Sequence, residues 1–512
     1  MALHRLRAPR AFLLALCCLF GGAAAAADPV AEVSTGRLAG QSEDGLSVFR
    51  GIPYAAPPTG ERRWRDPEPA PAWEGTRDAR SFGKTCIQAP DVDEGPGSSS
   101  EDCLTLNIWA PQDAKGAPVM VWIHGGGFFN GAGSVPYYDG TAFAREGIVL
   151  VTINYRLGLF GFFLHPDLGA ENPQGRSGNY GLMDQVLALR WVQENIAAFG
   201  GDPSNVTIFG ESAGASSVVA LMVMEEARGL FHRAIAQSYP WEFFGRSTDD
   251  GGPLTRLGGH LAERLGQGSL AGLRALDAHE LNTAHQREAV AVGGSGRAFK
   301  AVIDGRLLPR DPVLLFEEGR QAQVPFLIGA NSFEVSVIRP GADFVEKTRE
   351  AVGERWEAFR SVYGARAEED LLPAADALFS DNAYRVAVRM TARSMEAVGA
   401  PAYVYSFDRL AEAMKARGAR GTPHGGEIPY VFETLPERGY DGTDRALAEA
   451  ANAYWAAFAR TGVPAGEGLP AWPAFTAATP HVMEFSDTVR VRESFRAREL
   501  DWLEPTVRER MR

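Results

Sequence analysis

The chain has 512 residues, 45% hydrophobic and 22% charged, with a formal net charge of −13. That is enough apolar material to bury a large core, and it excludes a disordered or fibrous chain. An acidic balance with no basic run also argues against nucleic acid or an anionic membrane as partner, since both need a basic face.

The chain opens like an export signal. Arg5, Arg7 and Arg10 give a basic start, residues 11–20 are unbroken apolar, and Ala23 to Ala27 supply small residues for cleavage. Cleavage is expected after Ala27, which separates a signal peptide (1–27) from one domain over residues 28–512, secreted or periplasmic. Losing three arginines deepens the charge to about −16. No later stretch is apolar and long enough to span a bilayer, so no stable membrane insertion is expected after the signal is removed. Cys17 and Cys18 leave with the signal. Cys86 and Cys103 remain, and an even pair in an exported chain reads as a disulfide. It would close an otherwise flexible loop holding Asp91, Gly95, Gly97 and Ser98, worth about 3 kcal/mol by loop entropy.

Residues 30–33 and 46–49 read as short strands, and the Pro-rich residues 53–73 as irregular. In residues 104–109, Leu104, Leu106 and Ile108 alternate with Thr105 and Asn107, the pattern of a half-buried strand. Residues 118–123, 148–153 and 206–209 are apolar runs of the kind that buried parallel strands show. Helices are expected at 140–145, at 185–199, where Gly200 and Gly201 stop the pattern, and at 215–223. Residues 240–321 look less regular. A buried strand follows at 324–329, then helices at 350–360 and 381–398, a strand at 402–407 and a helix at 446–460. Strands alternating with helices predict an α/β fold, a mostly parallel sheet covered on both faces, with an insertion after the helix at 215–223.

Chemistry is concentrated in a few segments. Gly210-Glu211-Ser212-Ala213-Gly214 occurs once, between an expected strand and an expected helix. A sharp strand-to-helix turn strains the Ser backbone and tolerates only small residues two positions either side. The turn lifts the Ser212 hydroxyl to a helix N-terminus, where a developing anion is favoured. His124-Gly125-Gly126-Gly127-Phe128 follows the strand at 118–123. Its exposed N–H groups make Gly126 and Gly127, with Ala213, candidates for an oxyanion hole, where one lost donor costs about 3 kcal/mol of barrier. A serine nucleophile needs a base. In this topology the order is Ser, acid, His. Of the downstream histidines, His424 lies in a turn-rich loop suited to that role. His481 opens an apolar run and His232 follows Ser212 too closely, so both read as structural. Glu334, just past the strand at 324–329, is the acid, with Asp304 as the competitor on order alone. Glu211 neighbours the nucleophile and is positioned to tune the site, but is locked into the turn.

Together with Gly51-Ile52-Pro53-Tyr54-Ala55, Ser100-Glu101-Asp102-Cys103-Leu104, Asn179-Tyr180-Gly181-Leu182, Phe199-Gly200-Gly201-Asp202-Pro203 and His424-Gly425-Gly426-Glu427, these segments resemble the type-B carboxylesterase/cholinesterase family, bacterial p-nitrobenzyl-esterase-like members in particular. The resemblance spans residues 32–495. It implies an α/β-hydrolase fold, an acyl-enzyme mechanism on a small-molecule ester without cofactor or metal, Ser212, Glu334 and His424 as triad, and Cys86–Cys103 as the family's first disulfide loop. Two departures stand out. Residues 87–102 lack the Trp with which cholinesterases bind choline, so choline esters are not expected. After residues 236–238, small residues give way to Tyr239, Pro240, Trp241, Phe243 and Phe244, which either line a substrate pocket or pack. Phe128, Glu211, Tyr239 and Trp241 are the candidate pocket residues. An amidase, a lactonase or a non-catalytic binding protein of the same fold remain alternatives. The sequence leaves the natural ester and the oligomeric state open.

Overall fold

The structure, a computed structural model, describes residues 28–88, 99–246, 253–265, 268–291 and 298–511. The expected signal peptide and the loop residues Asp91, Gly95, Gly97 and Ser98 lie outside the described residues. Among those described, one sheet of 11 strands organises the chain. In chain order its strands are β1 (Gln41–Glu43), β2 (Leu46–Pro53), β3 (Thr105–Pro111), β4 (Ala117–Ile123), β5 (Val149–Ile153), β6 (Gly201–Glu211), β7 (Arg233–Gln237), β8 (Phe326–Asn331), β9 (Ala402–Phe407), β10 (His481–Phe485) and β11 (Val489–Glu493). Their spatial order is β11-β10-β9-β8-β7-β6-β4-β5-β3-β2-β1. Pairing is parallel from β10 through β5 and antiparallel at the two flanks.

Alternation along these strands feeds two cores. In β4, Val119, Val121 and Ile123 face one cluster and Met120 and Trp122 the other. The first cluster is covered by the helices Tyr180–Asn195, Ala213–Val223 and Val386–Ala397, the second by Gly442–Thr461. Trp122 shows how tightly the second is filled. Its ring meets Tyr138, Phe209 and Phe432 at 5.0, 4.8 and 5.0 Å.

Several expectations need correction. The strand at 104–109 is buried on both faces rather than half-buried. Its polar residues are consumed internally: Asn107 Oδ1 accepts from the Gly51 N–H at 2.9 Å, and Asn107 Nδ2 donates to Thr152 Oγ1 at 3.0 Å. The helix expected at 350–360 is two helices, Phe344–Val352 and Trp356–Tyr363, separated at Gly353 with φ 58°. The one expected at 381–398 starts with a π-turn, Asp381–Arg385. Residues 240–321 hold the helices Pro253–Arg264, Leu270–Ala275, Ala278–Ala291 and Pro312–Glu317, so this insertion is more regular than its glycines suggest. Cys86 and Cys103 form the expected disulfide.

Candidate functional site

The site forms where β4, β6, β7 and β8 end, the edge at which open α/β sheets hold ligands. Ser212 joins β6 to the helix Ala213–Val223 with φ 57° and ψ −116°, a strained backbone for a residue with a side chain. Neighbouring backbone dictates the flanking glycines. A Cβ on Gly210 would lie 2.5 Å from the Ile123 oxygen, and one on Gly214 2.0 Å from it. The turn is pinned where the Ser212 N–H donates to the Gln237 oxygen at 2.9 Å.

The glycine loop after β4 folds back on itself. The Gly126 oxygen accepts from the N–H groups of Phe129 and Asn130, at 3.1 and 3.0 Å. Gly126 and Gly127 have φ of 97° and 68°, and a Cβ on Gly126 would sit 2.2 Å from the Asn130 oxygen. Among the described residues the N–H groups of Gly126, Gly127 and Ala213 have no internal acceptor. His124 braces the loop. Its ring stacks on Tyr155 at 4.4 Å and its Nδ1 lies 2.8 Å from the Gly125 oxygen. Burial pulls its pKa down to about 4, so it is neutral.

Glu334 follows β8 at the start of a short 3₁₀ turn and is fully buried. Its Oε1 accepts from the Asn331 N–H at 2.7 Å and from the Ser238 hydroxyl at 2.6 Å. Its Oε2 lies 2.6 Å from His424 Nδ1. The His424 loop is registered by the Phe333 N–H donating to the Thr422 oxygen at 2.9 Å and the His424 N–H to Ser336 Oγ at 2.8 Å. The other ring nitrogen, Nε2, points to the nucleophile turn, 3.1 Å from Glu211 Oε1. A Cβ on Gly125 would touch both Glu211 Oε2 and Ser212 Cβ, so glycine loop, Glu211 and Ser212 are contiguous. His424 Nε2 makes no hydrogen bond among the described residues. Catalytic contacts of this kind tighten when substrate binds.

Three buried carboxyls surround His424. Glu211 is pushed up to about 8, by burial first and then by Glu427 and Glu334, with His424 opposing. Burial also raises Glu427, although Gln237 and Asn331 donate to it. Burial lowers His424, but Glu211, Glu334 and Glu427 overcome it and lift it to about 10. At neutral pH Glu211 keeps its proton. That removes one anion facing Nε2 and returns the imidazole toward the range of a working base.

Asp304 is not part of this group. It accepts from the N–H groups of Arg306 and Leu308 and from Asn179 Nδ2, holding a turn. His232 accepts the Val206 N–H on its Nδ1, and His481 lies on β10. Of the candidate pocket residues, Phe128 and Tyr239 are wholly buried, and Glu211 and Trp241 nearly so. Phe243 is the half-exposed aromatic of the following segment and packs on Phe128 at 5.6 Å.

Nothing in the sequence marks the π-turn Asp381–Arg385, which braces the site. Arg385 Nη2 donates to the Asn331 oxygen at 2.7 Å, and Ser380 Oγ accepts the Glu334 N–H at 3.2 Å. The Tyr384 ring lies 5.5 Å from His424, and the Asn382 oxygen takes the Trp241 Nε1–H at 2.7 Å. Asp381 anchors the turn through Arg385 and Arg496.

Comparisons with known proteins agree over most of the chain. The model of the carboxylesterase family matches residues 27–503. A fumonisin B1 esterase of Sphingopyxis macrogoltabida is 37% identical over 469 residues, 87% of this chain and 84% of that protein. The para-nitrobenzyl esterase of Bacillus subtilis (strain 168) is 36% identical over 487 residues, 89% of this chain and 94% of that protein. Among solved structures, a Geobacillus stearothermophilus carboxylesterase, EST55, superposes with a TM-score of 0.80 at 37% identity, covering 92% of this chain and 98% of that one. The sheet and its helices are thus the α/β-hydrolase fold.

Proposed function

Because this chain belongs to the carboxylesterase family and is a carboxylic ester hydrolase, we propose that it works through an acyl-enzyme on Ser212, with His424 as base and Glu334 as the acid that orients it. The observation that carries this reading is the 2.6 Å contact between His424 Nδ1 and Glu334 Oε2 beside the strained Ser212 turn. That contact fixes the proton on Nδ1 and leaves Nε2 as the acceptor. His424 Nε2 takes the Ser212 proton as Oγ attacks the ester carbonyl carbon. The carbonyl oxygen becomes an oxyanion, held by the N–H groups of Gly126, Gly127 and Ala213. The carbon–oxygen ester bond then breaks, and the alcohol leaves with the proton from His424. Water enters, loses a proton to His424 and attacks the acyl carbon. Collapse releases the acid and returns the proton to Ser212. Glu211 faces Nε2 as a neutral acid, so it adds no fixed anion where the oxyanion forms.

The chain acts outside the cytoplasm in this reading, with cleavage after Ala27. Support comes from the basic, apolar and small-residue order of the first residues and from the Cys86–Cys103 disulfide. Among the described residues no helix is long and apolar enough to cross a membrane.

The test is a pre-steady-state assay with an activated ester. A burst of alcohol equal to the enzyme concentration is expected, together with stoichiometric labelling of Ser212 by an organophosphonate. Full turnover by Ser212→Ala would falsify the mechanism. Terminal sequencing of the exported protein should begin at Asp28.

A further inference from the structure

Two short strands set a lysine beside the aromatic approach to the site. Beyond β7 the chain runs through Tyr239 and Trp241 into Gly245–Arg246, which pairs in parallel with Val302–Ile303. Gly245 faces Val302 in the register and donates its N–H to the Ala301 oxygen at 2.8 Å. Phe243 closes the 3₁₀ turn Trp241–Phe243 and Lys300 enters the strand Val302–Ile303, each two residues before that matched pair, so the pairing brings the two approaches side by side. The Lys300 ammonium sits over the Phe243 ring, 4.8 Å from its centroid. Phe243 packs on Phe128 at 5.6 Å, and Phe128 directly follows the Gly126–Gly127 pair.

Lys300 is half-buried, yet among the described residues its ammonium makes no hydrogen bond and no ion pair. Burial lowers its pKa from the ordinary lysine value; Glu242, the charged group that opposes this, is itself engaged by Arg510. Four other sheltered cations differ from Lys300. Arg385, Arg389, Arg409 and Arg496 each hold at least one carboxylate. A desolvated ammonium without an anion is unfavourable, and an aromatic face offsets only part of that cost. Among the described residues nothing meets the requirement of Lys300 for a negative group, at a point reached from the glycine loop through two aromatic rings.

We propose that Lys300 binds a free carboxylate carried by the substrate, so that this esterase prefers acid-bearing esters, such as half-esters of dicarboxylic acids, over neutral ones. The proposal rests on the ester-hydrolase reading above and adds the class of ester. Phe243 and Phe128 would carry the apolar spacer between that carboxylate and the scissile bond. The acidic net charge of the chain makes a local cation necessary for such a ligand, because the average field of the protein repels it.

The experiment compares monoethyl and diethyl esters of succinic, adipic and suberic acids by titrating released acid, using the processed full-length enzyme, Lys300→Met and Lys300→Arg. The expected result is a higher kcat/KM for at least one monoethyl ester than for its diethyl partner. In Lys300→Met that ratio falls about tenfold, mainly through KM, and Lys300→Arg restores most of it. Added potassium chloride should shrink the preference in wild type and leave Lys300→Met indifferent. A wild-type enzyme with no preference for any monoethyl ester, or a ratio unmoved in Lys300→Met, overturns the proposal. Turnover of p-nitrophenyl acetate by the same preparations reports separately on ester hydrolysis. If that turnover is present and the ratio is flat, only the role of Lys300 falls; if it is absent, the mechanism on Ser212 falls with it.

Discussion

Replacing Glu334 by Gln exchanges one carboxylate oxygen for an NH2 group, and the surroundings dictate which. Oε1 accepts from the Asn331 N–H and the Ser238 hydroxyl, so the amide oxygen must stay on that side. The NH2 group is then forced against His424 Nδ1, where the carboxylate oxygen stood at 2.6 Å. Two donors cannot share that contact, so His424 must carry its proton on Nε2 and present Nδ1 as acceptor. In that tautomer Nε2 cannot take the Ser212 proton. A wrong tautomer with intact geometry costs about 10⁴ in kcat, or about 5 kcal/mol of barrier. Near-isosteric replacement keeps the packing, so KM and the thermal midpoint should move little. Steady-state kinetics on an activated ester, with a melting curve as control, measures this. A Glu334→Gln enzyme within tenfold of wild-type kcat would refute the assignment of Glu334 as orienting acid.

Other predictions concern pH and stability. The kcat profile of wild type should show an inflection near pH 8 as Glu211 ionises, and Glu211→Gln should remove it. His285 is buried with neither ring nitrogen bonded among the described residues, and burial lowers its pKa to about 4. The unfolded chain takes up that proton near pH 6.5 and the folded one only near 4, so stability is present above pH 6.5 and lost as pH falls between those values. The loss amounts to about 3 kcal/mol, and urea unfolding of His285→Leu at pH 7 and pH 5 should show a flatter dependence than wild type. Breaking the disulfide with Cys103→Ser should cost about 3 kcal/mol in the same unfolding assay. Asp381→Asn strips Arg385 and Arg496 of a buried counter-charge, which should cost about 3–5 kcal/mol of stability and lower kcat.

How much of this was legible follows from where the constraint is local. The turn around Ser212 and the Gly125–Gly127 loop are set by backbone clashes within short segments, so their glycines show in the sequence. The proposed serine, acid and base also follow the chain order that this topology leads one to expect. The long apolar strands were readable for the same reason. A polar residue used as an internal partner looks solvent-facing in sequence, as with Asn107. Glycine used for close packing misleads as well. Gly258 lies inside the helix Pro253–Arg264 because a Cβ there would fall 1.9 Å from the Leu164 oxygen, yet in sequence it looks like a loop residue. The π-turn was invisible because its work is done through contacts to Asn331, Glu334, His424 and Arg496, distant in sequence. The helix Ala497–Met511 carries Pro505 and was not anticipated.

That π-turn has a consequence in time. Asp381 is held by Arg496, which is made after Ser212, Glu334 and His424 have been joined to the chain. The Arg496 part of the brace behind the proposed acid Glu334 therefore closes only after that later segment has docked, while Arg385 already holds Asp381 from within the turn. A growing chain can hold all three proposed triad residues, with Glu334 already bonded to Asn331 and Ser238, and still lack the outer Asp381–Arg496 contact.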